Sequence, residues 1–180
     1  MINNDIDRVL ITKEEINVRI KEIAADICRD FGDEPLVMVW ILRGSVYFFA
    51  DLTREIPNFV QLDFMAVSSY DGGTTSSGEV RINQDLACTI EGKNVIIVED
   101  IIDTGITLSY LKRILLERRP KALKICALLD KPSRRKVEIQ GDYVGFTVPN
   151  EFVVGYGMDY NQYYRNFSDV GVLKEEVYLK

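Results

Sequence analysis

The stretch Val95-Ile96-Ile97-Val98-Glu99-Asp100-Ile101-Ile102-Asp103-Thr104-Gly105-Ile106-Thr107-Leu108 decides how the rest of the chain is read. It opens on a run of β-branched residues, the pattern of a strand buried on both faces. Two adjacent carboxylates, Glu99 and Asp100, stand at the strand tip, and a turn holding Gly105 and two threonines then opens a helix. Free N–H groups at a helix start favour an anion, glycine lets the backbone come close, and threonine hydroxyls add donors. A phosphate suits that turn. Paired carboxylates beside it suit the vicinal hydroxyls of a sugar or, through water, a Mg²⁺. Neither a Walker A loop nor a G-x-G-x-x-G turn is present. An acidic first turn that complements a helix dipole is the plain alternative for Asp103-Thr104-Gly105 alone. It leaves the strand and its carboxylate pair without a reason.

Working outward, the same alternation recurs. Thr12 with Glu15 forms a capping-box pattern, Ile16, Ile20, Ile23, Ala24, Ile27 and Phe31 follow at helical spacing, and Gly32 closes the helix. Leu36–Leu42 is a continuous apolar run that ends at Arg43-Gly44-Ser45, and a helix over Val46–Glu55 stops before Pro57. A strand is predicted at Val60–Ser68, a Gly/Ser/Thr-rich loop at 70–78, and an extended piece at Glu79–Ile82. The helix after Gly105 is predicted to run from Ile106 to Arg119, ahead of Pro120. Strands are then expected at Ala122–Leu129, Tyr143–Val148 and Phe152–Tyr156. Apolar strands alternating with helices predict an α/β fold around a central, mainly parallel sheet flanked by helices. Ligands on such sheets bind at the carboxyl ends of the strands. Three strands here end in chemically loaded segments, at Arg43-Gly44, Glu99–Thr107 and Asp130-Lys131.

Composition sets the outer limits. The chain has 180 residues, 22 Lys plus Arg against 28 Asp plus Glu, a net charge of −6, and no histidine. Without imidazole, Ser-His-Asp and Cys-His nucleophiles and His-ligated zinc are excluded, so proton transfer falls to carboxylates, lysine, tyrosine or cysteine. The acidic balance argues against broad nucleic-acid binding. Cys28, Cys88 and Cys126 lie far apart with no C-x-x-C spacing, which predicts buried, reduced thiols and a cytoplasmic location. No signal-peptide pattern opens the chain, no apolar run is long enough to span a bilayer, and a single domain over 1–180 is expected. The Arg134-Arg135 pair in the basic stretch 131–136 reads as a solvated loop.

Val98–Thr107 closely resembles the phosphoribosyl pyrophosphate (PRPP) signature of the type I phosphoribosyltransferases, and other segments resemble that family's hypoxanthine-guanine branch. Leu42-Arg43-Gly44-Ser45 resembles its pyrophosphate loop, and Ser68-Ser69-Tyr70 with the stretch to Val80 resembles its closing loop. Leu129-Asp130-Lys131 resembles its purine-contacting segment, and Phe152–Asn161 its base-stacking and second-metal segment. The likeness runs in order from about Asp5 to Val172. Arg43 stands where many members carry lysine, and Ile106 fills a variable slot. The resemblance implies the family's fold with a small hood built from the chain ends and a flexible active-site loop. It implies transfer of a phosphoribosyl group from PRPP to hypoxanthine or guanine, giving IMP or GMP and pyrophosphate.

By that resemblance Asp103 is the acid/base at purine N7, and Thr104, Gly105, Ile106 and Thr107 hold the 5′-phosphate. Glu99 and Asp100 take the ribose hydroxyls directly or through Mg²⁺, and Asp159 ligates a second Mg²⁺. Arg43, Gly44, Ser69, Tyr70 and Arg165 would neutralise pyrophosphate; the peptide before Arg43 is one the family can hold in cis. Lys131 would donate to purine O6, Phe152 would stack on the ring, and the Val153 backbone would read its other edge. The loop 70–78 would close as a lid that excludes water. A homodimer or homotetramer is implied, and Val46–Ala50 could supply a contact or simply pack on the sheet. Two other readings are an RNA-binding regulator on the same fold, as pyrimidine attenuation proteins are, and a binding-only sugar-phosphate module. The net charge disfavours the first, and Asp103 with Lys131 disfavours the second.

Overall fold

The computed structural model describes residues 2–69 and 80–179. Its elements in order are β1 (Ile6–Ile11), α1 (Lys13–Phe31), β2 (Leu36–Leu42), α2 (Val46–Glu55), β3 (Val60–Ser69) and β4 (Val80–Gln84). There follow β5 (Asn94–Ile102), α3 (Ile106–Leu116), β6 (Ala122–Asp130), β7 (Tyr143–Thr147), β8 (Val153–Val154), β9 (Val170–Leu173) and α4 (Glu175–Tyr178). Six strands form the main sheet in the order β4-β3-β2-β5-β6-β7, parallel except for the antiparallel edge strand β4.

Strand alternation divides the core. Ile96 and Val98 of β5 pack with α1 and α2, while Val95 and Ile97 face Leu108, Leu111 and Leu115 of α3. Both faces are covered by helices, which is why β2 and β5 read as unbroken apolar runs. In α1 the buried stripe is Ile16, Ile20, Ile23, Ala24 and Ile27, entered through the expected capping box at Thr12 and Glu15. Within Val46–Ala50, Phe48 and Phe49 are buried and Val46 is half-buried, while Tyr47 and Ala50 stay exposed.

The chain ends build a separate three-stranded sheet, β1-β9-β8, which sits as the hood. Its strands β1 and β9 carry no strong sequence signal, because each is short and finds its partner across the length of the chain. Three expectations need correction. The strand at Phe152–Tyr156 shrinks to Val153–Val154, since Gly155, Tyr156 and Gly157 all adopt positive φ (97°, 47° and 103°) and turn the chain. Helix α3 ends at Leu116, and Arg119 stands in the left-handed region at φ 52°. Of the thiols, Cys126 alone is fully buried, while Cys28 and Cys88 are half-buried. Tyr70, the rest of the expected lid, and Glu79 lie outside the described residues; Ser69 ends β3. Among the described residues no helix is long and apolar enough to cross a membrane.

One buried carboxylate locks the edge of the main sheet. Asp63 on β3 accepts from the N–H groups of Phe64 (2.8 Å), Ala87 and Cys88 (both 2.9 Å). Burial opposes its charge, but the hydrogen bonds from Cys88, Phe64 and Ala87 outweigh this and hold the carboxyl below its ordinary value. A lowered carboxyl stabilises the fold above its unfolded value of 3.8 and loses that contribution as pH falls through the folded value. Asp63→Ala strands three backbone donors, at about 1–3 kcal/mol each. We expect Tm to fall by at least about 2–4 °C at neutral pH, with the gap to wild type narrowing below about pH 4. Thermal unfolding followed by circular dichroism checks both, and a gap independent of pH would contradict the ionised clamp.

Candidate active site

The segments at the carboxyl ends of β5 and β6 meet at one cleft of about 360 Å³. At the end of β5, Glu99 and Asp100 are half-buried, and the Asp100 carboxylate accepts from the Ile101 N–H at 2.7 Å. Both carboxyls titrate above their ordinary values: Glu99 through burial and then the charge of Asp100, Asp100 through burial first. Neither has a cation beside it among the described residues, although Arg165 and Asp159 act on Asp100 from a distance with opposite sign. The turn beyond them places Gly105 at φ 80°, and α3 begins at Ile106 without a side-chain cap from Gly105; the Ile106 N–H makes a long contact to Thr104 Oγ1 (3.5 Å), and the following N–H groups are open to an anion. That turn is braced from behind, because a Cβ on Gly105 would lie 2.5 Å from Ile139 Cγ2. Lys136 N–H also bonds the Thr104 carbonyl at 2.9 Å.

The loop after β2 meets this turn in direct contact. The Leu42–Arg43 peptide is cis. Ser45 is buried, and its Oγ donates to the carbonyls of Ile41 (2.8 Å) and Val98 (3.3 Å), tying the loop to both strands. A Cβ on Gly44 would lie 1.6 Å from Asp100 Oδ2, so only glycine fits there.

The segment after β8 closes the far wall. Asp159 pairs with Arg165 at 2.7 Å, and Gln162 accepts from Arg165 (3.1 Å) and from Arg43 (3.3 Å). The two arginines expected at pyrophosphate are thus gathered by one amide that the sequence did not single out. Lys131 is 5% exposed, and its Nζ donates to the Glu151 carbonyl at 2.8 Å. Burial lowers its pKa, and the nearby charge of Asp103 works against that shift. Phe152 stands at the cleft with Tyr178 stacked on it (centroids 4.9 Å apart) and Tyr160 edge-on at 5.6 Å.

Of the expected residues the cleft therefore gathers Asp100, Asp103, Lys131, Phe152, Val153 and Asp159. Glu99, Arg43, Gly44, Arg165 and Thr104–Thr107 do not line it directly; Gly44 reaches it through Asp100 and Arg165 through Asp159. The solvated-loop reading of Arg134-Arg135 is wrong for Arg135. Its side chain is 16% exposed, pairs with Asp130, and donates to the Asp103 carbonyl at 2.6 Å. Arg134 lines the cleft and stands 3.2 Å from Asp103 Oδ1. Tyr178 was also missed, because a lone aromatic near the C-terminus carries no local signal.

A parallel sheet whose strand carries two carboxylates near its end, a glycine turn opening a helix there, and a glycine loop against the strand define a class. A family model of the phosphoribosyl transferase domain matches residues 10–161, and the chain belongs to the phosphoribosyltransferase family. It is 50% identical over 178 residues to the hypoxanthine-guanine phosphoribosyltransferase of Streptococcus pneumoniae, covering 99% of both chains. To that of Bacillus subtilis it is 48% identical over 178 residues, again covering 99% of both. A solved hypoxanthine phosphoribosyltransferase from Staphylococcus aureus matches with a TM-score of 0.95 at 49% identity, covering 98% of this chain and 96% of that one.

The open carboxylate pair gives a test. Because both acids are raised in the fold, the stability they allow is fully present below their unfolded values of 4.5 and 3.8. It is lost as pH rises through the raised ones. Glu99→Gln and Asp100→Asn should each raise Tm of the ligand-free protein by about 2–4 °C at neutral pH, the effect of roughly 1 kcal/mol. Calorimetry across the acid-to-neutral range should show the gain growing with pH, while the KM for PRPP rises. A loss of Tm in both variants would show that these carboxylates are structural.

Proposed function

We infer that the chain transfers the 5-phosphoribosyl group of PRPP to a 6-oxopurine, hypoxanthine or guanine, forming IMP or GMP and pyrophosphate in purine salvage. The observation that carries this reading is the cleft itself, where a buried lysine and an aromatic platform face an aspartate at the head of the uncapped helix α3. We read residues 1–180 as one phosphoribosyltransferase domain, which the family match over 10–161 and the pairing of β1 with β9 support.

The following roles belong to that reading. The N–H groups of the turn Thr104–Thr107, with both threonine hydroxyls, take the 5′-phosphate. Phe152 stacks on the purine, and Val153, held in β8, offers its backbone to the edge opposite Lys131. The lysine ammonium donates to O6, and it has no acceptor to offer a 6-amino group, so 6-oxopurines are selected. Asp103 handles the proton at N7. Arg43, Gly44 and Arg165, with Ser69 and Tyr70, neutralise the leaving pyrophosphate while positive charge develops at the anomeric carbon.

The residues also fit a magnesium requirement. Glu99 and Asp100 are adjacent, partly desolvated oxygen donors with no cation of their own among the described residues. No cluster of three or more ligating side chains occurs there, so most of such an ion's shell would come from water and substrate oxygens. Glu99 and Asp100 would hold one ion and Asp159 a second, and bound magnesium would neutralise phosphate charge. A homodimer or homotetramer belongs to the same reading, as does a cytoplasmic location. Exposed Leu62 and Phe64 on β3 suit the first, and the free thiols suit the second.

Asp103→Asn should lower kcat by about 10²–10⁴-fold and leave the KM for PRPP within about twofold. Steady-state kinetics with hypoxanthine and guanine measures this; wild-type turnover in the variant would sink the acid/base role. Adenine should be a poor substrate, and its use as the preferred base would overturn the part given to Lys131.

A further inference from the structure

We propose that Arg134 is a positioning residue that aims the Asp103 carboxylate at the purine. The inference rests on the proton-handling role given to Asp103 above.

Arg134 ends the 3-10 turn Pro132–Arg134, which follows directly from Lys131. In such a turn residues i and i+3 eclipse, so Lys131 and Arg134 emerge on one side, and both line the cleft. Arg134 Nε stands 3.2 Å from Asp103 Oδ1, outside hydrogen-bonding geometry. That oxygen is buried and makes no hydrogen bond among the described residues. The guanidinium is thus the cation that this carboxylate oxygen faces. The next residue secures the same aspartate from its other end: Arg135 Nη1 donates to the Asp103 carbonyl at 2.6 Å, and its other arm pairs with Asp130. Backbone and carboxylate of Asp103 are therefore held by consecutive side chains of one segment.

The chemistry asks for such an arrangement. O6 and N7 are neighbours on one edge of a 6-oxopurine, so the donor to O6 and the proton handler at N7 must keep a fixed mutual distance. Lys131 and Arg134 leave the same rigid turn, and Arg134 transmits the position of that turn to Asp103. A planar guanidinium constrains a carboxylate in orientation as well as distance, which an ammonium does not. Folding gains little from the contact, because the Arg134 side chain is 49% exposed and exposed ion pairs contribute little to stability. Its value lies in aim.

The test is a double-mutant cycle on the full-length enzyme with Mg²⁺-PRPP and hypoxanthine. Arg134→Ala should lower kcat about 10- to 100-fold, the scale of an ångström-level misplacement, with the KM for PRPP within about twofold and Tm within about 2 °C of wild type. Arg134→Lys should recover part of the lost kcat. In an Asp103→Asn background, Arg134→Ala should change kcat less than about twofold, because there is no ionised carboxylate left to aim. Wild-type kcat in Arg134→Ala overturns the inference. So do effects that simply multiply in the double variant beside an impaired Asp103→Asn, and that outcome leaves the proton-handling role standing. Full turnover in Asp103→Asn alone overturns that role and the inference with it.

Discussion

Gly44 lies against the Asp100 carboxylate on one side and against Gly157 on the other, and the geometry of the cleft depends on those two contacts. A Cβ at Gly44 would strike the Asp100 carboxylate, and one at Gly157 would lie 1.9 Å from the Gly44 carbonyl oxygen. Three segments from distant parts of the chain are thereby stacked: the loop after β2, the tip of β5 and the turn after β8. Close packing of this kind transmits displacement rather than absorbing it. The buried Ser45 hydroxyl fastens the first two segments through the carbonyls of Ile41 and Val98. The third segment is held by Arg165, which donates to the Gly157 carbonyl at 2.8 Å while pairing with Asp159. The residues proposed to face pyrophosphate are thus positioned by the same contacts that hold the strand ends together.

Charge is distributed unequally over that frame. Asp159 has Arg165 within ion-pair distance, Asp103 has Arg134, and Asp130 has Arg135. Glu99 and Asp100 have no such partner among the described residues, and burial pushes both toward the neutral form. A pair of desolvated carboxylates side by side weakens a fold unless something positive arrives. The strand tip therefore carries a built-in demand for a cation or for hydroxyl donors, and a metal-bound sugar phosphate supplies both. In the proposed reading, stability surrendered at this one position is affinity held in reserve for substrate.

Legibility in the sequence tracks how local each feature is. The signature at 95–108 was readable because strand, carboxylates, turn and helix start lie within one short stretch, and the structure places all four as expected. The main sheet was readable for the same reason, since strands buried on both faces are apolar throughout. The hood strands were not. Ile6–Ile11 mixes Asp7 and Arg8 into its middle, and it becomes a strand only by pairing with Val170–Leu173. The contraction of Phe152–Tyr156 followed from three consecutive positive φ values, of which only those at Gly155 and Gly157 had any sequence signal. Side chains that act across the fold were the hardest to see. Gln162 gathers Arg43 and Arg165, Tyr178 backs Phe152, and Arg134 faces Asp103, each through a contact that spacing along the chain does not encode.

The absence of histidine becomes intelligible at this level. An imidazole serves where one group must both take and return a proton near neutrality. In the proposed reaction the base itself brings the proton to be moved, and a carboxylate held at N7 would suffice if its position is fixed. Fixing that position is a packing and charge problem, met by Arg135 at the Asp103 carbonyl and by Arg134 at its carboxylate. The remaining demand is for positive charge around phosphate, which the proposed roles give to arginine and backbone N–H groups. A site assembled this way places its permanent charges first and leaves a single proton to one aspartate.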